Sequence, residues 1–198
     1  MRRFVVIGTR AISRGKLPLN DMAGGAGRMD VLVRALMSSI LTSHGIRPNV
    51  EFTMILRGGT GTPRRIKFVG SELRGIHAEE RSVGGKIASV LKEPIPPKGH
   101  WVKRAPGIYD GGGDLEDTLG EWNCDIIRLD ANAPFLYNEL PQLDSEPNNS
   151  DIGFILGDDK PLETDYGTPR SIGNEWLQGH SCITIIHFLL DNGVEINL

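Results

Sequence analysis

Along the chain, short continuous apolar runs alternate with longer stretches in which apolar residues recur every three or four positions. The first continuous run, Phe4 to Ile7 (FVVI), predicts a buried strand. Met29, Leu32, Val33, Leu36, Met37, Ile40 and Leu41 then recur at helical spacing and predict a helix ended by Gly45. Asp30 falls in its first turn, where a carboxylate meets the positive end of the helix dipole. Glu51 to Gly59 and Arg64 to Gly70 predict a second and a third strand, paired as a hairpin across GGTGTP. A second helix is predicted from about Ala78 to Lys92, weakened by Gly84 and Gly85.

The second half reads less regularly. PIPPKGHWVKRAPGIYDGGGD, with four prolines and a run of three glycines, predicts a loop. A short helix is predicted from Leu115 to Glu121 and a buried strand from Cys124 to Leu129. A polar loop with one helical turn follows, up to Asp151. Ile152 to Asp159 predicts a strand running into a Gly-Asp-Asp turn, and Cys182 to Asp191 a last helix stopped by Asn192-Gly193. No internal repeat is visible. Strands alternating with helices predict an α/β fold with a mainly parallel sheet. The 198 residues suit one domain, 1–198, with a sizeable core.

Charge changes this picture. Residues 1–104 hold 19 Lys and Arg against 7 Asp and Glu, whereas residues 105–198 hold 3 against 18. A basic half of this size suits a polyanionic partner, although the two halves can also neutralise each other within a subunit or across a dimer. No apolar run approaches the roughly 20 residues of a membrane span. The run in MRRFVVIGTR is too short for a signal peptide, so no membrane partner and a cytoplasmic location are expected. The two cysteines, Cys124 and Cys182, form no C-x-x-C pair and are expected as buried thiols.

Candidate chemistry gathers at two strand ends, RLDANAP and ILGDDKP, because ligands of open parallel sheets bind beyond the carboxyl ends of strands. Gly157 permits close backbone approach; Asp158 and Asp159 are able to hold hydroxyls or cations. The alternative is an ordinary strand-end turn. No G-x-G-x-x-G follows a strand, GGAGRMD lacks the lysine of a phosphate loop, and no G-x-S-x-G elbow is present. In GHSCITIIHFLLDNG, His180, Cys182 and His187 have no chelating spacing, so no metal is expected. Ile183, Ile186, Leu189 and Leu190 form the stripe of a packed helix, with His180, Ser181 and Cys182 at its open N-terminus.

Several segments together resemble one family: GRMDVLVRALMSSILTSHGIR, IKFVGSELR, AEERS, PGIY, ILGDD and HSCITIIHFLLD. In this order they resemble the TrmY family, pseudouridine N1-methyltransferases of the SPOUT superfamily. The resemblance implies an α/β SPOUT fold: a parallel sheet with helices on both faces and a C-terminal trefoil knot that holds S-adenosyl-L-methionine. It also implies a homodimer acting on RNA, with tRNA as the substrate of archaeal relatives and ribosomal RNA that of a sister family. The turn reads Gly-Asp-Asp where archaeal relatives tend to have Gly-Asp-His, and the loop Ala131 to Ser150 is longer. These departures make the chain resemble a bacterial branch.

Residue by residue, the resemblance makes Leu129, Gly157 and Cys182 cofactor contacts. It makes Arg170, Ser171, Ile172, Gly173, Asn174 and Glu175 the segment wrapping the adenine side. Methylating a ring N–H needs a proton acceptor and a group that steadies an oxygen or a phosphate; Asp30 and Arg28 are the candidates, with a surface charge pair as the alternative. Arg10, Arg57, Arg64, Arg65, Lys67 and Arg74 are expected to meet RNA phosphates. Two other functions fit the same residues: a methyltransferase of this fold acting on another RNA base, and a non-catalytic RNA-binding dimer.

Overall fold

In the computed structural model, which describes residues 1–141 and 145–198, FVVI lies inside strand β1 (Arg2–Ile12). The chain continues through helix α1 (Met29–Ile40), a small hairpin of β2 (Leu41–Thr42) and β3 (Gly45–Ile46), then β4 (Val50–Gly58), β5 (Arg64–Val69) and α2 (Glu80–Leu91). Next come β6 (Trp101–Ala105), β7 (Ile108–Gly112), α3 (Leu115–Leu119), β8 (Asp125–Leu129), β9 (Ile152–Gly157), β10 (Thr168–Arg170) and α4 (Gly179–Asp191). Eight strands form one sheet in the order β10-β8-β9-β1-β4-β5-β7-β6. It is parallel from β10 through β4 and antiparallel from β4 to β6.

The central position of β1 explains its composition. Phe4 and Val6 face one core with α1, α2 and α4; Val5 and Ile7 face a second with Leu115 and Leu119 of α3. A strand covered on both faces has no polar side to present, so it reads as a continuous apolar run. Helix α1 lays Leu32, Val33, Leu36 and Ile40 into the first core. It ends before the predicted Gly45 because Leu41 and Thr42 turn back to pair with Ile46 and Gly45. Glu79 caps α2, its carboxylate accepting from the Arg81 and Ser82 amides at 3.0 and 2.8 Å.

The segment predicted as one long loop holds β6 and β7. Its glycines serve close approach. A Cβ on Gly112 would lie 2.2 Å from the Pro96 carbonyl oxygen, and one on Gly111 would lie 2.9 Å from the Trp101 ring. Strand β10 was also absent from the sequence reading; three residues, one of them proline, carry no alternation. Helix α4 starts at Gly179, three residues before the predicted Cys182. Residues 130–141 and 145–151 contain no helix, and the rest of the stretch expected to hold a helical turn, 142–144, lies outside the described residues.

One buried titratable group ties α4 to the sheet. His187 Nε2 lies 2.9 Å from the Ser39 carbonyl oxygen, and Nδ1 lies 3.0 Å from Arg2 Nη1. A carbonyl only accepts and a guanidinium only donates, so the ring is neutral with its proton on Nε2. Burial, then the charges of Arg47 and Arg2, push its pKa down to about 4, with Asp191 opposing. The folded value lies below the ordinary 6.5, so this contribution to stability is complete above about pH 6.5. It fades as pH falls toward about 4. Urea unfolding across that window is expected to show a loss of roughly 3 kcal/mol from this group. His187→Gln, which keeps an acceptor and a donor, should flatten the slope; an unchanged slope would refute the assignment.

Candidate functional site

Strands β10, β8 and β9 lie side by side and run parallel, ending at Arg170, Leu129 and Gly157. The first turn of α4 meets them there: a Cβ on Gly179 would touch the Gly157 carbonyl oxygen at 3.7 Å. Between these ends lies a cavity that opens to solvent, walled by Leu129, Leu156, Gly157, Ser171, Ile172 and Cys182. No side chain caps the start of α4, which leaves its amide end able to meet a ligand.

Eight of the nine expected cofactor residues line the cavity: Leu129, Gly157, Arg170, Ser171, Ile172, Gly173, Glu175 and Cys182. Asn174 is exposed and is not among its lining residues, because the loop turns that side chain outward. Asp158, expected at this strand end to hold hydroxyls or cations, also lines it, as do Leu156, Trp176, Leu177 and Gly179, which the sequence reading missed in this role. Trp176 had a signal, a large aromatic in a polar loop just before a helix; it is 69 % exposed. The wall mixes apolar side chains, strand-end backbone and a few polar groups, a lining that suits a nucleoside with an apolar edge.

Cys182 is buried, and its Sγ–H points to the Leu177 carbonyl oxygen at 3.6 Å. Burial pushes the thiol up to about 11, so it is protonated at neutral pH and is no nucleophile. Cys182→Ala is therefore expected to weaken S-adenosylmethionine binding by a few-fold while leaving the fold intact. Titration calorimetry beside a thermal melt checks this, and unchanged affinity would make the residue core packing alone.

The backbone around GGAGR is tightly bound to β1. Gly27 adopts φ 64°, and a Cβ there would lie 1.9 Å from the Arg10 carbonyl oxygen. Arg28 follows at φ 69°, the one non-glycine with positive φ among the described residues. Its Nε donates to Asp30 at 3.0 Å and its Nη1 to Asp159 at 2.9 Å. Arg34 also donates to Asp30, at 2.6 Å, and Arg10 to Asp159, at 2.6 Å. Asp158 accepts from the Thr9 amide at 2.6 Å. This network clamps the Gly157–Asp159 turn, one wall of the cavity, to β1 and α1. Burial raises the Asp30 carboxyl, but Arg28 and Arg34 outweigh it and hold the group below its ordinary value. Asp30 is thus an ionised acceptor at neutral pH.

The six expected phosphate contacts separate into two classes. Arg64 and Arg65 are completely buried, which corrects their assignment to an RNA-facing surface. Arg64 forms a fork with Asp110, and Arg65 lies beneath Trp101 at 4.4 Å and pairs with Glu121. Lys67 packs over Trp101 at 4.4 Å and lies 3.8 Å from Glu121. Arg10, Arg57 and Arg74 keep access to solvent. Much of the basic half is neutralised within the subunit: Arg2 and Arg47 meet Asp191, Arg3 meets Asp151, and Arg104 meets Asp110.

Residues 1–194 match the model of a family described as "Putative SAM-dependent RNA methyltransferase". A protein of Methanocella arvoryzae named tRNA (pseudouridine(54)-N(1))-methyltransferase is 31% identical over 199 residues, covering 96% of this chain and 99% of its own. One of the same name from Methanosarcina acetivorans is 32% identical, covering 96% and 91%. These relatives are archaeal and give the expected bacterial branch no support. The crystal structure of Archaeoglobus fulgidus Nep1 bound to S-adenosylhomocysteine superposes with a TM-score of 0.59 over 96% of this chain and 97% of that one, at 12% identity. At that identity the likeness speaks for the fold alone, an α/β fold of SPOUT type.

Proposed function

The chain belongs to the family of S-adenosylmethionine-dependent RNA methyltransferases, and from that premise we propose that it methylates N1 of a pseudouridine in tRNA. The observation that carries this reading is the cavity where three parallel strand ends meet the open start of α4, in a chain similar over nearly its whole length to relatives bearing that name. Leu129, Gly157, Ile172 and Cys182 would hold S-adenosylmethionine there, and the cofactor would supply an electrophilic sulfonium methyl group to N1.

The chain's own residues bind and align. Leu129, Leu156 and Ile172 give the apolar walls; Ser171 and Glu175 give polar groups; the start of α4 gives amides. Ser171 is held by its neighbours, its amide donating to the Pro134 carbonyl at 2.8 Å and its carbonyl accepting from the Leu136 amide at 2.7 Å. Arg28 and Asp30 are the pair proposed to meet the acceptor base, the ionised Asp30 taking up the N1 proton. Alignment and exclusion of water supply the rate.

The trefoil knot and the homodimer belong to the same proposal. Support for the knot comes from the chain beyond α4, where the Asn197 amide donates to the Leu136 carbonyl at 2.8 Å, so that the C-terminal tail covers the segment paired with Ser171. Support for a partner subunit comes from Trp176, Leu177 and Phe188, large apolar residues left exposed just before and on α4. Among the described residues no helix is long and apolar enough to cross a membrane.

The test is incubation with methyl-labelled S-adenosylmethionine and total RNA, followed by nucleoside analysis. Label in N1-methylpseudouridine is the expected result. Label in another base would reassign the target, and absence of cofactor binding by calorimetry would sink the proposal.

A further inference from the structure

We infer that a second cavity, beside the first, seats a backbone phosphate of the RNA next to the methylated nucleotide, with Arg57 and Lys160 as its cationic pair. This deepens the function just proposed and rests on it. The cavity opens beside β1 and at the ends of β4 and β9, its lining including Thr9, Arg57, Gly157, Lys160, Leu162 and Glu163. Gly157, Lys160 and Leu162 line both cavities, so the two sites share one wall. An RNA strand presenting a base to the first has its sugar–phosphate chain within reach of the second.

Arg57 is prepared for an anion. Its Nε and Nη2 donate to Asp114 at 3.0 and 2.8 Å, and its side chain is one-third exposed. Asp114 is itself fixed as the N-cap of α3, with a reciprocal bond from its own amide to Asp117 at 2.9 Å. The guanidinium is therefore held in one orientation with Nη1 free to donate. A fixed planar fork loses little entropy when it meets a phosphate. The Lys160 amide donates to Asp158 at 2.9 Å, which fixes the backbone of that residue, while its ammonium has no ion-pair partner among the described residues. The other candidates differ in place: Arg64 and Arg65 are buried, Lys67 packs over Trp101 near Glu121, and Arg10, paired with a carboxylate as Arg57 is, lines neither cavity. Glu163, on the same rim, opposes the anion.

The test is filter binding of an in vitro-transcribed tRNA at a series of salt concentrations, beside methyl transfer at saturating RNA and calorimetric titration with S-adenosylhomocysteine. Arg57→Gln and Lys160→Gln are each expected to weaken RNA binding about tenfold and to reduce the slope of log affinity against log salt by roughly one. Arg57→Lys should keep most of the slope, and Glu163→Gln should tighten binding. Arg57→Gln should leave the S-adenosylhomocysteine affinity within about twofold, since Arg57 lies outside the first cavity. Should Arg57→Gln fold poorly, the exposed Lys160 and Glu163 variants decide. A wild-type protein that transfers methyl groups, with variants that keep its affinity and salt slope, overturns this site alone. A wild-type protein that binds neither cofactor nor RNA overturns both.

Discussion

Asp110→Ala is expected to destabilise the protein by about 3–5 kcal/mol, because it strands a buried arginine. Asp110 and Arg64 are both wholly buried. Arg64 Nε and Nη2 each lie 2.7 Å from the carboxylate, and Arg104 Nε lies 3.0 Å from it. Arg64 Nη1 donates to the Ser13 carbonyl at 3.1 Å, and Nη2, besides Asp110, reaches the carbonyls of Val90 at 2.7 Å and Glu93 at 3.1 Å. One carboxylate therefore neutralises a cation that joins β5, the loop after β1 and the end of α2. Removing it leaves two arginines facing each other, one of them with no water to solvate it.

For a chain of this length the loss corresponds to roughly 10 °C in melting temperature. The double variant Arg64→Met, Asp110→Leu removes both buried charges and should regain part of the stability, because apolar replacement of a whole buried pair is close to neutral while the carbonyls of Ser13, Val90 and Glu93 lose a donor. A single variant melting within 2 °C of the wild type would show that the pair contributes little.

That pair also shows where sequence reasoning ran short. Arg64 and Arg65 stand in a basic half with an acidic half behind them, and charge counting made them RNA contacts. Sequence order hides that β5 is an inner strand, flanked by β4 and β7. There the sheet is covered on both sides at these two positions, so the arginines are buried and recruit Asp110 and Glu121 from the acidic half. The asymmetry of charge along the chain is in good part the sequence image of contacts within the subunit.

Periodicity did find FVVI and the stripe on α1, because burial on a regular element leaves a repeating signature. It failed for β6 and β7 because prolines and glycines usually break strands. Here Gly111 and Gly112 admit the Trp101 ring and the Pro96 carbonyl instead. Leu129, Gly157 and Cys182 stand far apart in sequence, and no spacing rule joins them; the strand-end rule pointed to RLDANAP and ILGDDKP, and the resemblance joined Cys182 to them. The chain then brings all three to one cavity because β8 and β9 pair in parallel and α4 begins where they end. Trp176 and Leu177 were missed because a loop residue's direction is set by tertiary contacts rather than by period.

Gly173→Trp is expected to weaken S-adenosylmethionine binding by at least about 100-fold, or roughly 2.7 kcal/mol, with the fold unchanged. Gly173 lines the first cavity, and a Cβ built on it meets no atom within 4 Å. Its φ is not positive, so a side chain brings no left-handed strain. The backbone there is already held from both sides, the Gly173 amide donating to Ser171 Oγ at 3.1 Å and its carbonyl accepting from that hydroxyl. An indole thus enters space that the fold leaves open at a residue lining the cavity. Calorimetry with S-adenosylmethionine and a thermal melt separate the two consequences: affinity should collapse while the melting temperature moves by less than about 2 °C. The combination is diagnostic, since damage to the core lowers both. Retained affinity in a stable Gly173→Trp protein would mean that the cofactor sits elsewhere, and the strand-end cavity would lose its assigned role.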